Sequence, residues 1–447
     1  MSAAYKRYFT SFLPWHLQTS LSESPLTLTS PAILFGTLFA PWVGVLFVEA
    51  ISTEGGLAMT RRSTPAVVAG KLQGFKYFSL VSDLLERLRP VGTARDKAGN
   101  RELFFDQYAA LLLLYYFNPT VTTLRGIQQF TTLEKVQKLC GVRPTAMGSL
   151  SEAARVFDPR AVESIITELA TQAVASAGNL PSAKEAALAG LIAVDGSLLP
   201  ALPKMAWALW QDAQHRAAKL HVAFAVFPQV PLTATITAGN ASERHELRGF
   251  VQPGGFYVAD RGYADYSLFR EFDAQQARFV IRVQENAVFE IVRENRLSPD
   301  DLAAGVIRDV TVRRLGTAKH NALLTSPLRI VEVHGSEPGQ RWLLATNAHD
   351  LSAELIKIAY HHRWQIELFF RWLKCVLGCK HLLSHSQSGV TLQVYFAIIA
   401  ALLIGLWIGV KPNKRLYEML CHYLSGWATL DELEQAIAKH HATAKPP

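Results

Sequence analysis

The stretch YHHRWQIELFFRWLK, residues 360–374, sets four functional side chains at fixed intervals: Tyr360, Arg363, Glu367 and Lys374. At roughly 100° per residue, these positions fall within an arc of about 60° on one face of a helix. Ile366, Phe369, Phe370, Leu373 and Leu377 occupy the adjacent stripe, the apolar face with which such a helix packs on a sheet. A helix from about Ser352 to beyond Lys374 therefore aims Glu367 toward the sheet. An ordinary amphipathic helix with its charges in water has the same pattern, so the rest of the chain must decide.

Two acidic residues lie upstream in matching settings, Val194-Asp195-Gly196-Ser197 and Ala259-Asp260-Arg261-Gly262-Tyr263. Each follows a short apolar run, residues 191–194 and 256–259, that reads as a strand ending at the carboxylate. An Asp at a turn is commonplace. Two of them at strand ends, with a helix that supplies a third carboxylate, match what hard divalent cations take. Two such ions can clamp both oxygens of a phosphodiester displacement. Residues 220–227 and 232–237 form a hairpin, 266–275 a helix and 278–283 another strand, so the pattern is five strands with an antiparallel start and a helical crossover. Residues 288–292, 307–313 and 328–333 are strand-like pieces of a β-rich insertion, closed by 342–345.

The order and spacing of these residues resemble the DDE transposases of bacterial insertion sequences, in the family numbered four. Their Tyr-x2-Arg-x3-Glu-x6-Lys signature is filled at every position by Tyr360, Arg363, Glu367 and Lys374. The resemblance implies an α/β fold with a ribonuclease-H-like mixed sheet, interrupted by the β-rich insertion and preceded by a helical domain. It implies that Asp195, Asp260 and Glu367 bind two Mg²⁺ ions, with Mn²⁺ able to substitute. Tyr360, Arg363 and Lys374 would contact phosphates at the transposon end, and Trp342 resembles a tryptophan that stacks on a flipped base. The implied partners are DNA, both the terminal inverted repeats of the element and the target, with a homodimer assembled on them. Relatives often carry an Asp in the segment 240–247, where this chain has His245. A metal-dependent nuclease, or a domesticated DNA-binding relative, is the alternative on the same fold.

The composition agrees with a polyanionic partner. Lys and Arg number 45 against 37 Asp and Glu in 447 residues, a net charge of +8, which favours nucleic acid or an anionic surface. The excess is concentrated between Arg61 and Arg143, thirteen Lys or Arg against six Asp or Glu, on segments of helical period. Residues 122–140 read as two short helices, and Gly148 to Ser151 as the cap of a third. The expected domains are an apolar extension over 1–58, a helical DNA-binding region over 59–180, a catalytic domain over 181–284 and 346–410 split by the insertion 285–345, and a helical end over 411–447. Met59 is an alternative start. The four cysteines are too few and scattered for a disulfide framework, which points to a reducing compartment and a cytoplasmic, nucleoid-associated protein. Cys375 and Cys379 are expected to pack rather than bind zinc. The uncharged run 390–410 is long enough for a membrane helix, but its place directly after the 360–374 helix favours a buried core helix. A paired-carboxylate glycosidase has no use for the Arg363 and Lys374 stripe.

Overall fold

The computed structural model describes residues 81–443 apart from 94, 95, 97, 178–181, 213, 214, 318–320, 380 and 410–412. All of them fall in one compact unit, Ser63–Pro447. The extension 1–58, the alternative start at Met59 and the first part of the basic region lie outside the described residues.

Among the described residues, eight helices precede the sheet: α1 (Ser82–Glu86), α2 (Leu88–Thr93), α3 (Phe105–Phe117), α4 (Leu124–Phe130), α5 (Glu134–Cys140), α6 (Met147–Val156), α7 (Arg160–Ala175) and α8 (Ala183–Ala187). The two short helices expected before Cys140 are α4 and α5. The Thr123 hydroxyl caps α4 by accepting the Gly126 N–H, and Gly141, in the left-handed region at φ 64°, ends α5. The third helix differs from expectation, because α6 starts at Met147 and takes Gly148 to Ser151 into its first turns.

The strands are β1 (Leu191–Pro200), β2 (Ala217–Ala225), β3 (Val230–Ala238), β4 (Phe256–Ala259), β5 (Arg278–Val283), β6 (Val288–Glu294), β7 (Val306–Gly316), β8 (Asn321–His334) and β9 (Arg341–Thr346). Among the described residues they make one nine-stranded sheet in the order β3-β2-β1-β4-β5-β9-β8-β7-β6. The first three strands are antiparallel, and β1, β4 and β5 are parallel, as the crossover pattern predicts. The expected β insertion is not a separate lobe. Its last strand, β9, pairs antiparallel with β5, so the insertion extends the same sheet.

Helices α9 (Glu243–Phe250) and α10 (Tyr266–Ala274) lie on one face, over Val194, Ala223, Tyr257 and Phe279. The other face carries α12 (Ala353–His362), α13 (Trp364–Cys375) and α14 (Gln387–Ile408), over Ala193, Val222, Phe224 and Val258, while α11 (Pro299–Ala303) bridges β6 and β7. The predicted apolar stripe of α13 is buried throughout, with Ile366 and Leu373 fully enclosed. Phe369 meets Phe224 of β2 at a ring distance of 5.1 Å; a Phe→Ala change at so enclosed a site costs about 3–5 kcal/mol. Helix α14 is, among the described residues, the helix apolar enough to cross a membrane, and 78% of its most apolar window is buried inside the protein. It packs on α3, α6, α7 and β3, the core role its position predicts. Helices α15 (Lys414–Leu424) and α16 (Leu430–Thr443) close the described chain.

Candidate active site

Parallel register brings the two aspartates together. Val194 pairs with Ala259, the last residue of β4, so Asp195 and Asp260 are the next residues on adjacent strands. Asp195 does not end its strand, as the sequence suggests; β1 runs on to Pro200 because β2 keeps pairing with it, Asp195 opposite Val222. What ends there is β4. Asp260 instead caps a single 3₁₀ turn, Arg261–Tyr263, its carboxylate accepting the Gly262 N–H at 2.7 Å. Asp195 accepts the Gly196 N–H at 2.8 Å. Burial raises the Asp195 pKa to about 7, and the negative charges of Asp260 and Glu243 add to it, against the pull of Arg363. Its carboxylate is thus one that its surroundings do not fully compensate.

The helix expected to run unbroken from Ser352 past Lys374 is two helices, α12 and α13, that meet at Arg363. The guanidinium at that joint lies between carboxylates, its Nη2 donating to Glu367 Oε1 at 2.5 Å and its Nη1 3.6 Å from Asp195 Oδ2. Burial works against the Arg363 charge, yet Asp195, Tyr360 and Glu367 together raise its pKa and hold it protonated. The structure therefore brings Asp195, Asp260, Arg363 and Glu367 to one place. Among the described residues no three His, Cys, Asp or Glu side chains stand close enough to hold an ion as they are. The donors are nonetheless of the hard oxygen kind that Mg²⁺ takes, and the position between Asp195 and Glu367 already carries a positive charge, that of Arg363.

Lys374 lies two turns further along the same face of α13, with Nζ donating to Ser197 Oγ at 2.7 Å and to the Leu198 carbonyl at 2.6 Å. It braces α13 to β1, and burial lowers its pKa. Tyr360 is buried, which raises its pKa, and its ring meets Trp342 edge-on at 5.5 Å. The Arg282 guanidinium sits 5.0 Å over the half-buried Trp342 ring, and Trp342 Nε1 is buried with no partner. His245 is exposed on α9. Cys379 is buried beside the Tyr116 hydroxyl at 3.7 Å, while Cys375 is exposed.

Sequence reasoning missed two groups here. Arg282, a charge inside the apolar strand RFVIRV, was detectable as a break in an otherwise apolar run. Glu243, in the first turn of α9, lies two residues before His245.

Residues 187–403 match the family model of the transposase DDE domain, a span that includes each carboxylate and base named above. A putative transposase of Sinorhizobium fredii, y4zB, is 31% identical over 216 residues, 47% of this chain and 59% of that protein. A probable transposase for insertion sequence element IS5377 of Geobacillus stearothermophilus is 29% identical over 213 residues, 47% of this chain and 54% of that protein. A putative transposase for insertion sequence element IS4SA of Synechocystis is 26% identical over 160 residues, 34% of this chain and 41% of that protein. The chain thus spans about half the length of the curated relatives it matches. These matches bear out the resemblance to insertion-sequence DDE transposases. The piggyBac transposase synaptic complex with hairpin DNA, a cryo-EM structure, covers 83% of this chain and 85% of its own at 10% identity, with a TM-score of 0.43, too distant to carry an argument.

Proposed function

We propose that this chain is a DNA transposase of an insertion sequence, with Asp195, Asp260 and Glu367 as the carboxylates of a divalent-ion centre on a ribonuclease-H-like sheet. The observation that carries it is the undercompensated Asp195 beside Asp260, joined through Arg363 to Glu367. Two Mg²⁺ ions, or Mn²⁺, would supply activation of the attacking oxygen and charge for the leaving one. The protein's own residues do the positioning. Arg363 is shared between two carboxylates, and a phosphate offers it a bidentate acceptor of the same sign of charge. Its transfer to the transposon-end backbone would free Asp195 and Glu367 for cations, so that DNA and ions load together. Lys374 keeps α13 seated on β1 with two of its three donors and has the third for a phosphate. Tyr360 backs Trp342, whose ring face offers a platform for an unstacked base. Water, and then the freed 3′ hydroxyl, are the attacking groups, with no covalent protein intermediate. The partners are the element's terminal inverted repeats and target DNA, engaged by a homodimer in the cytoplasm at the nucleoid.

Nicking of an end-bearing duplex in Mg²⁺ tests this. Glu367→Gln keeps the shape and is expected to lower the rate by at least about 10²-fold while end binding persists. Equal cleavage by both proteins would remove Glu367 from the centre.

A further inference from the structure

The two aspartate motifs share a glycine that the backbone does not require. Neither Gly196 nor Gly262 has a positive φ, so alanine would be conformationally acceptable at both. Space is the constraint. A Cβ on Gly196 would fall 3.3 Å from Glu243 Oε1, and one on Gly262 would fall 3.1 Å from Glu243 Oε2 and 3.0 Å from Asp260 Oδ1. The Glu243 carboxylate therefore lies between the residue after Asp195 and the residue two after Asp260, one oxygen toward each. Helix α9 delivers it there from the opposite face to α13, and Lys219 Nζ holds it at 3.2 Å.

Two buried polar groups face the same notch without partners. His221, fully enclosed, uses Nε2 toward Thr237 Oγ1 at 2.9 Å, and that hydroxyl in turn donates to the Ala238 carbonyl. Thr237 thus accepts the Nε2 proton, and Nδ1 is left as a bare acceptor, 3.3 Å from where a Gly196 Cβ would stand. The Tyr263 hydroxyl, also fully enclosed, has no hydrogen-bond partner. Burial and then the charges of Asp195, Glu243 and Asp260 hold its pKa well above the ordinary phenol value. Buried polar atoms are seldom left unpaired in a finished structure, so the notch is built to receive something polar.

We propose that Glu243 is a fourth carboxylate of the ion centre, a positioning residue that Gly196 and Gly262 admit between the two aspartate strands and that increases the centre's hold on divalent cations. The proposal rests on the three-carboxylate reading above. Glu243 adds negative charge beside Asp195 and Asp260 and offers an acceptor to the outer ligands of a bound ion, while the Tyr263 hydroxyl and His221 Nδ1 complete the polar lining. Groups in such outer positions typically change metal affinity by about tenfold to a hundredfold.

Mn²⁺ titration of the full chain, followed by electron paramagnetic resonance of the free ion, tests it. Glu243→Gln is expected to raise the Mn²⁺ midpoint about tenfold or more with an unchanged melting temperature in EDTA. Lys219→Met removes the competing positive charge and is expected to lower the midpoint. Opposite signs from the two variants support the proposal, and they separate it from a structural ion pair, whose two halves would act alike. Gly262→Ala, which presses on the other oxygen of that carboxylate, Oε2, follows Glu243→Gln. Mn²⁺ binding that responds to Asp195→Asn but to neither Glu243→Gln nor Gly262→Ala overturns the role of Glu243 alone. Binding that Asp195→Asn leaves unmoved overturns the ion centre itself.

Discussion

Two arginine–aspartate pairs in this molecule, one buried and one half-buried, are built in opposite ways. In the strand extension, Arg329 meets Asp309 with Nη2 at 2.6 Å and Nε at 3.3 Å, and its Nη1 donates to the carbonyls of Ala348 and Leu351. Asn295 Nδ2 donates to the same Asp309 carboxylate at 2.8 Å. Those charges are saturated, and they pin β7 and β8 to the loop that enters α12. At the candidate active site, Arg363 stands 3.6 Å from Asp195, beyond hydrogen-bond range, and is shared with Glu367. Asp195 retains a raised pKa near 7 despite that neighbour. A fully partnered buried pair is scaffold, whereas a pair left short of partners beside further carboxylates is the pattern of perturbed charge that functional sites favour.

The contrast breaks most readily at the saturated pair. Asp309→Ala strands the Arg329 charge and is expected to cost about 3–5 kcal/mol in urea unfolding; a loss below 1 kcal/mol would mean that the pair is not the clamp its geometry suggests. Next in size, Mn²⁺ at 100 times its dissociation constant should stabilise the wild type by about 2.7 kcal/mol and give no such gain to Asp195→Asn. Thermal melting in EDTA and in Mn²⁺ reads both.

The pH dependence sharpens the same comparison. The folded pKa of Asp195, about 7, lies above the ordinary value of 3.8, so its contribution to stability is complete below about pH 4 and is lost as pH rises toward and through 7. Asp195→Asn should therefore flatten that fall and melt higher in EDTA at pH 8, by about 1–2 kcal/mol, the usual sign for relief of a functional site. A variant less stable than wild type at pH 8 would show the carboxylate to be structural. The smallest effect is expected at the rim of the extension, where Arg341 pairs with Glu332 at 3.0 Å with 66% of the arginine side chain exposed. Arg341→Ala should change stability by less than about 0.5 kcal/mol, as urea midpoints would show.

What the sequence made legible follows from the range of the interactions involved. The hairpin of β2 and β3, the strands before Asp260 and the apolar stripe of α13 are local patterns, and alternation and helical period reveal them. The end of a strand is set by its neighbours. Asp195 reads as a strand end, yet β1 continues because β2 has partners for it down to Pro200. The break at Arg363 has no proline or glycine to announce it, and it coincides with a side chain held by Asp195 and Glu367, a contact across 168 positions of the chain to Asp195 that no window can see. The strand pieces 288–345 were visible as strands, but their union with β5 depends on β9, the last of them. Glu243 was hidden for the same reason: its meaning comes from two glycines 47 residues before and 19 after it.

The most direct test is cleavage of end-bearing DNA in Mg²⁺ by Asp195→Asn, compared with wild type at equal occupancy of the DNA. The expected result is a protein that is folded, at least as stable as wild type in EDTA and bound to the end, yet slower in nicking by about 10²-fold or more. Cleavage at the wild-type rate by that folded, DNA-bound variant would contradict the assignment of Asp195, and with it the ion centre.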